Sequence, residues 1–143
     1  MSNDRFSASG SPPLVLIVDD DAQFRRYLRT LLEGEGFRIC EAADGKQGWE
    51  SYLRQRPQLI ITDIVMPEQE GIELIITIKK QDPVTPIVAI SGGNAGFAEN
   101  YLEIAHNLGA SATLAKPFTA DMLRKTIRQV MMGNESRPAL HAG

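Results

Sequence analysis

One cysteine, one tryptophan and two histidines are all that 143 residues contain of three residue types that often carry chemistry. A single cysteine excludes an internal disulfide and any cysteine-built metal knot. Cys40 lies within an apolar stretch, where a thiol packs rather than reacts. His106 falls in a helical pattern and is expected to be exposed, and His141 lies in a polar terminal stretch and is expected to be solvated. Apolar runs are short, none approaching the roughly 20 residues of a membrane span, and the first residues hold no signal-peptide core. The expectation is a cytoplasmic protein with no membrane partner. Basic residues are not in excess either. Fifteen Lys and Arg face eighteen Asp and Glu, for a net charge of -3, so no electrostatic footprint for nucleic acid exists.

What the chain does have is a regular alternation of short apolar runs and amphipathic stretches. With 43% hydrophobic residues, the length suits one domain with a sizeable core. Strands are expected at 14–18, 37–41, 59–63, 86–90 and 112–115. Between them, Phe24, Leu28, Leu31 and Leu32 recur at helical spacing with Arg25, Arg26 and Arg29 opposite, and Asp21 stands as N-cap and Gly34 and Gly36 as terminators. Asp44-Gly45 turns into a helix in which Trp49 and Leu53 are expected to pack together beside Tyr52. Ile72, Ile75 and Ile76 mark the inward side of a helix over 71–80, and Leu74 and Ile78 fall off that stripe. Phe97, Tyr101, Ile104, Ala105 and Leu108 give a fourth helix ended by Gly109. Thr119 caps a fifth, with Leu123, Ile127 and Val130 on one side. Five strand-helix repeats predict an α/β fold, a doubly wound parallel sheet. Residues 1–13 and 133–143, rich in Ser, Asn, Gly and Pro, read as flexible arms around a domain over 14–132.

The strand ends carry the chemistry. Leu59-Ile60-Ile61-Thr62 ends on Asp63, and Leu14-Val15-Leu16-Ile17-Val18 ends on Asp19-Asp20-Asp21. In open parallel sheets, ligands gather at the carboxyl ends of the strands. One cap needs one side chain, so Asp21 is assigned to the following helix, and Asp19 and Asp20 remain to face Asp63. Carboxylates packed together repel unless a cation holds them, which suggests a hard divalent ion such as Mg2+. The fourth strand is followed by Ser91 and the fifth by Lys116-Pro117-Phe118. An acid cluster, a hydroxyl and an ammonium at successive strand ends are the parts needed to hold a phosphoryl group on a carboxylate.

Here the chain resembles the receiver domain of two-component response regulators. The matching residues are Asp19-Asp20, Asp63 with Met66-Pro67 and Gly71 after it, Ser91, and Lys116-Pro117-Phe118. They run in the family's order, and the resemblance covers residues 14 to about 131. It implies a flavodoxin-like three-layer sandwich with strand order 2-1-3-4-5. It also implies that Asp63 accepts a phosphoryl group from a sensor histidine kinase or a histidine phosphotransfer protein. Asp20, Asp63 and the backbone carbonyl of Val65 would bind Mg2+ directly, with Asp19 acting through water, and Ser91 and Lys116 would contact the phosphoryl oxygens. A downstream protein target is expected on the face from Phe97 to Met131, with Leu102 and Met131 as contacts or core margins. Thr113 departs from the family's pattern, in which many members carry an aromatic that swings inward with the hydroxyl. The glycine-rich loop after Ser91 is expected to share that role.

No output domain fits in the length, so the expectation is a stand-alone receiver, a monomer or weak dimer, that performs no catalysis beyond its own phosphorylation and dephosphorylation. Two alternatives use the same residues. A haloacid dehalogenase-like phosphohydrolase would take Asp19 as nucleophile within Asp19-Asp20-Asp21, but Gln23 stands where that family prefers Thr or Val, and no acidic pair follows Lys116. A flavin or nucleotide carrier is prompted by Gly92, Gly93 and Gly96, yet the loop lacks the Gly-Lys-Ser ending of a P-loop.

Overall fold

A computed structural model of the chain describes residues 11–67, 70–92 and 102–136, with side chains up to 132. Five strands, β1 (Leu14–Val18), β2 (Arg38–Ala42), β3 (Leu59–Asp63), β4 (Ile87–Ser91) and β5 (Ala112–Ala115), form one sheet in the order β2-β1-β3-β4-β5, all neighbours parallel. This is the flavodoxin-like order expected above. The helices are α1 (Ala22–Gly34), α2 (Gly45–Gln55), α3 (Glu70–Gln81), the described helical residues 102–107 of α4, and α5 (Ala120–Ser136). None of the described helices is long and apolar enough to cross a membrane.

β1, β3 and β4 are buried along their whole length. A strand covered on both faces must be apolar on both, which is why these segments read as continuous rather than alternating runs. Successive side chains still point to opposite faces. Leu14, Leu16 and Val18 join Tyr52, Leu74, Ile75, Ile78 and Ala105 in a core beneath α2, α3 and α4. Val15 and Ile17 join Leu28, Leu32, Leu123 and Ile127 in a second core beneath α1 and α5.

The caps follow local chemistry. Asp21 Oδ1 accepts from the N–H groups of Gln23 and Phe24 at 3.0 and 3.2 Å, so it serves as the N-cap of α1 as read. Thr119 Oγ1 accepts from Met122 N at 3.0 Å at the start of α5. Gly36 and Gly109 close α1 and α4 with φ of 99° and 116°, where any side chain would be strained.

Three inward stripes differ from expectation. In α3 the buried residues are Gly71, Leu74, Ile75 and Ile78, whereas Ile72 and Ile76 are only partly buried. A Cβ on Gly71 would lie 2.2 Å from the Asp63 carbonyl oxygen and 2.5 Å from Ile64 Cα. The helix therefore rests on β3 through a residue with no side chain, and its stripe is centred there. α2 behaves alike. Its buried residues are Gly48, Ser51 and Tyr52, Leu53 is 44% exposed, and Trp49 stacks on Tyr52 with ring centroids 5.6 Å apart. In α4, Ala105 is buried and Ile104 is 44% exposed; Phe97 and Tyr101 lie outside the described residues. His106 is exposed, as expected. At the ends, Arg38 bonds the carbonyls of Pro12 and Pro13, tying those residues to β2, and α5 runs on to Ser136.

At the amino end of the sheet, opposite the strand ends named above, a polar network joins α2 to the α3–β4 connection. The Tyr52 hydroxyl donates to Asp82 Oδ2 at 2.8 Å and accepts from Arg56 Nη1 at 2.9 Å. Asp82 also accepts from the N–H groups of Val84 and Thr85 and from the Thr85 hydroxyl. Burial works against the Asp82 charge, but these bonds outweigh it and hold the carboxyl down at about 2.

A carboxyl depressed in the folded state stabilises the protein above its unfolded pKa of about 3.9, and that contribution fades as pH falls towards about 2. Asp82 is partly solvated, so the full effect is expected to be only on the order of 1 kcal/mol. In urea unfolding, wild type should lose more stability than Asp82→Asn between pH 6 and pH 3; parallel losses would show that the network does not depend on the charge. For Gly71→Ala, the added methyl must push β3 or α3 aside, and urea unfolding should show a loss of about 2–3 kcal/mol.

Candidate functional site

The parallel register itself delivers the functional side chains. β1 and β3 pair through Val18 and Thr62, and the next residues are Asp19 and Asp63. β4 and β5 pair through Ser91 and Ala115, and Lys116 comes next. Asp19 is 1% exposed, its N–H bound to the Ala42 carbonyl at 3.1 Å and its Oδ1 accepting from Asp21 N at 2.8 Å. Asp63 is 6% exposed and its Oδ1 accepts from Val65 N at 2.8 Å. Lys116 Nζ bridges the two, 3.3 Å from Asp19 Oδ2 and 3.3 Å from Asp63 Oδ2. Asp20 is exposed, and carboxylate oxygens of Asp19, Asp20 and Asp63 lie within 4.8 Å of one another. Three hard oxygen donors in that space fit a Mg2+-sized cation that keeps part of its water shell.

The electrostatics follow from burial. Loss of water raises the Asp63 carboxyl to about 6, against the Val65 N–H, which lowers it; the Asp19 charge raises it further and Lys116 lowers it. Burial works against the Lys116 ammonium too, but the charges of Asp63 and Asp19 prevail and raise its pKa. Ser91 is fully buried at the end of β4, and the Lys116 N–H donates to its carbonyl at 2.8 Å. Among the described residues its Oγ reaches the Gly92 carbonyl, at 3.5 Å, the outer limit of a hydrogen bond. Val65 is 41% exposed, and its N–H is committed to Asp63.

The residues singled out from sequence thus meet in one place, and two further groups that were not singled out reach the same spot. Arg25 of α1 donates from Nη1 to the Asp19 carbonyl at 2.6 Å and from Nε to Glu41 at 2.9 Å. Arg29 holds the other Glu41 oxygen at 2.6 Å. What read as the face of α1 opposite its apolar stripe is in part a bracket between α1, β2 and the Asp19 backbone. The i, i+4 spacing of Arg25 and Arg29 was the available signal, but their acceptor is distant in sequence. The second group is Phe24, whose ring centroid is 4.0 Å from Lys116 Nζ.

On the far side of the site, Thr113 is partly buried in β5 opposite Ala89. Leu102 packs against the core beneath α2, α3 and α4, and Met131 against the core beneath α1 and α5, so both finish the core. The large apolar side chains exposed on the described part of α4 and the start of α5 are instead Ile104 and Met122. Gly93 and Gly96 lie outside the described residues.

Comparisons with known proteins agree with this geometry. The response regulator receiver domain family matches residues 15–128. The KDP operon transcriptional regulatory protein KdpE of Escherichia coli is 34% identical over 125 residues, covering 87% of this chain and 54% of that protein. The chemotaxis protein CheY of Bacillus subtilis is 34% identical over 118 residues, covering 82% of this chain and 96% of that protein. The chain spans about half the length of several curated relatives that it matches. Among solved structures, a CheY-like receiver domain protein from Methanospirillum hungatei superposes with a TM-score of 0.81 at 27% identity, covering 89% of this chain and 99% of that one. With its parallel order, its acid pocket and its lysine in place, the chain belongs to the response regulator receiver domain family of two-component systems.

Proposed function

We propose that this receiver takes a phosphoryl group onto Asp63 from a phosphohistidine on a sensor histidine kinase or a histidine phosphotransfer protein, and so gates binding to a partner protein. The observation that carries the reading is Asp63 itself, a nearly buried carboxylate at a strand end, flanked by Asp19 and held by Lys116. Receiver domains are in general phosphoacceptors rather than enzymes acting on separate substrates. A carboxylate oxygen of Asp63 attacks phosphorus, the phosphorus-nitrogen bond breaks, and the electron pair leaves with the donor imidazole. Lys116 neutralises charge on the phosphoryl oxygens, and the buried Ser91 hydroxyl gains a better acceptor than the Gly92 carbonyl.

Mg2+ would be held directly by Asp20, Asp63 and the Val65 carbonyl, and by Asp19 through water. When bound, it supplies the positive charge that lets a carboxylate approach phosphoryl oxygens. The folded unit in this reading is 14–132, working in the cytoplasm as a monomer or weak dimer, with its output on the face formed by α4, β5 and α5. Ile104 and Met122, exposed on α4 and α5, offer apolar side chains to such a target. The phosphohydrolase alternative, with Asp19 as nucleophile, loses support because Asp21 is exposed and spent on capping α1.

Acetyl phosphate with Mg2+ should label wild type on Asp63, and Asp63→Asn or EDTA should abolish labelling; a phosphoryl group mapped to Asp19 would establish the hydrolase instead. Lifetime gives a second test. Val65, two residues beyond the acceptor, has an exposed side chain that cannot orient a water behind the phosphorus. Val65→Asn should shorten the phosphoryl half-life severalfold, as followed by loss of label, and an unchanged or longer half-life counts against this account.

A further inference from the structure

The Lys116 ammonium has a neighbour with no acceptor atom. Its Nζ sits 3.3 Å from each of two carboxylate oxygens and at the same time 4.0 Å from the centroid of the Phe24 ring. The ring is itself held. Phe118 meets it edge-on at 6.0 Å and 81°, Tyr27 lies 6.0 Å away, and the Phe24 N–H is bound to the Asp21 cap. On its other flank, the lysine stem crosses Gly92 so closely that a Cβ there would be 2.8 Å from Lys116 Cδ.

We propose that Phe24 is a positioning residue for Lys116, an aromatic seat that keeps the ammonium at the pocket when a divalent cation takes the carboxylate oxygens. The inference rests on the reading that Asp19, Asp20 and Asp63 hold Mg2+. An entering cation needs the oxygens that Lys116 now occupies, and two positive charges at close range repel. The ammonium must release the carboxylates without leaving for solvent, because the phosphoryl group will need it. A ring face attracts a cation through its quadrupole yet offers no oxygen for which the metal could compete. While two carboxylates share the ammonium, the ring's attraction is partly redundant; once they turn to the metal, it is the main contact left. Only that difference enters the Mg2+ affinity.

The test is calorimetric titration of Mg2+ into the full chain, with Phe24→Leu, Lys116→Met and the double variant. Phe24→Leu should weaken Mg2+ binding roughly three- to tenfold, Phe24→Tyr should keep the wild-type affinity, and Phe24→Leu should change nothing when Lys116 is already Met. An unchanged affinity in Phe24→Leu overturns the proposal, as does an equal loss in the Lys116→Met background, which would mark Phe24 as mere packing. If Phe24→Leu fails to fold, the wild type decides by NMR. The Lys116 Cε protons should stay shifted upfield by the ring when Mg2+ is added, and loss of that shift overturns the proposal. Asp63→Asn separates the two levels. Mg2+ binding undiminished in that variant removes the metal-site reading, whereas weakened binding there with a silent Phe24→Leu removes only the aromatic seat.

Discussion

Everything near the strand ends is arranged around one unfavourable fact, that Asp19 and Asp63 are both buried and both acidic. Burial and the neighbouring Asp19 charge both raise the Asp63 carboxyl, so positive charge must be brought in to hold it ionised. Lys116 is that charge, and it reaches one oxygen of each acid at once. The fold pays for this arrangement with a rigid frame. The Asp19 N–H and carbonyl are tied to Ala42 and Arg25, and one oxygen of each buried acid is fixed by a backbone N–H two residues on. Each acid therefore keeps its second oxygen, Oδ2, for the lysine.

The parallel sheet makes the convergence possible and also sets its precision. Register places Asp19 beside Asp63 and puts Lys116 directly after the residue opposite Ser91, so a one-residue slip in any strand would turn a functional side chain to the other face. Such slips are prevented by two apolar layers rather than one. The β1 side chains enter both cores in alternation, and shifting the strand would exchange them. Precision at the site thus depends on packing of side chains that never touch it. Gly71 is the point where packing and site meet most directly, since α3 approaches the backbone of Asp63 itself there.

The strands, their order of appearance and the residues at their ends were legible because burial on both faces leaves unbroken apolar runs, and a charge at the end of such a run stands out. The strand order was legible only through family resemblance, since periodicity says nothing about neighbours. What sequence reading misplaced shares one cause. In α2 and α3 a glycine is among the buried residues, Gly48 and Gly71, and a reading that looks for apolar side chains assigns the stripe to the next strong candidates, Leu53 and Ile76, about one residue off in rotation. Close contact made without a side chain leaves no hydrophobic signal. Arg25 was missed for a different reason: its partners are a backbone carbonyl and a glutamate on another strand, and neither can be paired with it from spacing alone.

The distribution of fixed and unfixed groups suggests how a local charge change could be felt elsewhere. Asp19 and Asp63 are locked by backbone bonds, so they define the pocket and do not report on it. Ser91 differs, a fully buried hydroxyl whose acceptor among the described residues stands at 3.5 Å, and Lys116 has a stem resting on a residue without a side chain. Both belong to the β4–β5 side of the pocket and are joined to each other by the Lys116 N–H on the Ser91 carbonyl. In the function proposed above, a phosphoryl group on Asp63 would offer new acceptors to both side chains, which stand at the adjoining ends of β4 and β5. A partner responds to phosphorylation only if it touches elements whose arrangement differs between the two states. In that reading the β4–β5 side of the pocket, rather than the acids that define it, is where binding and chemistry would be coupled.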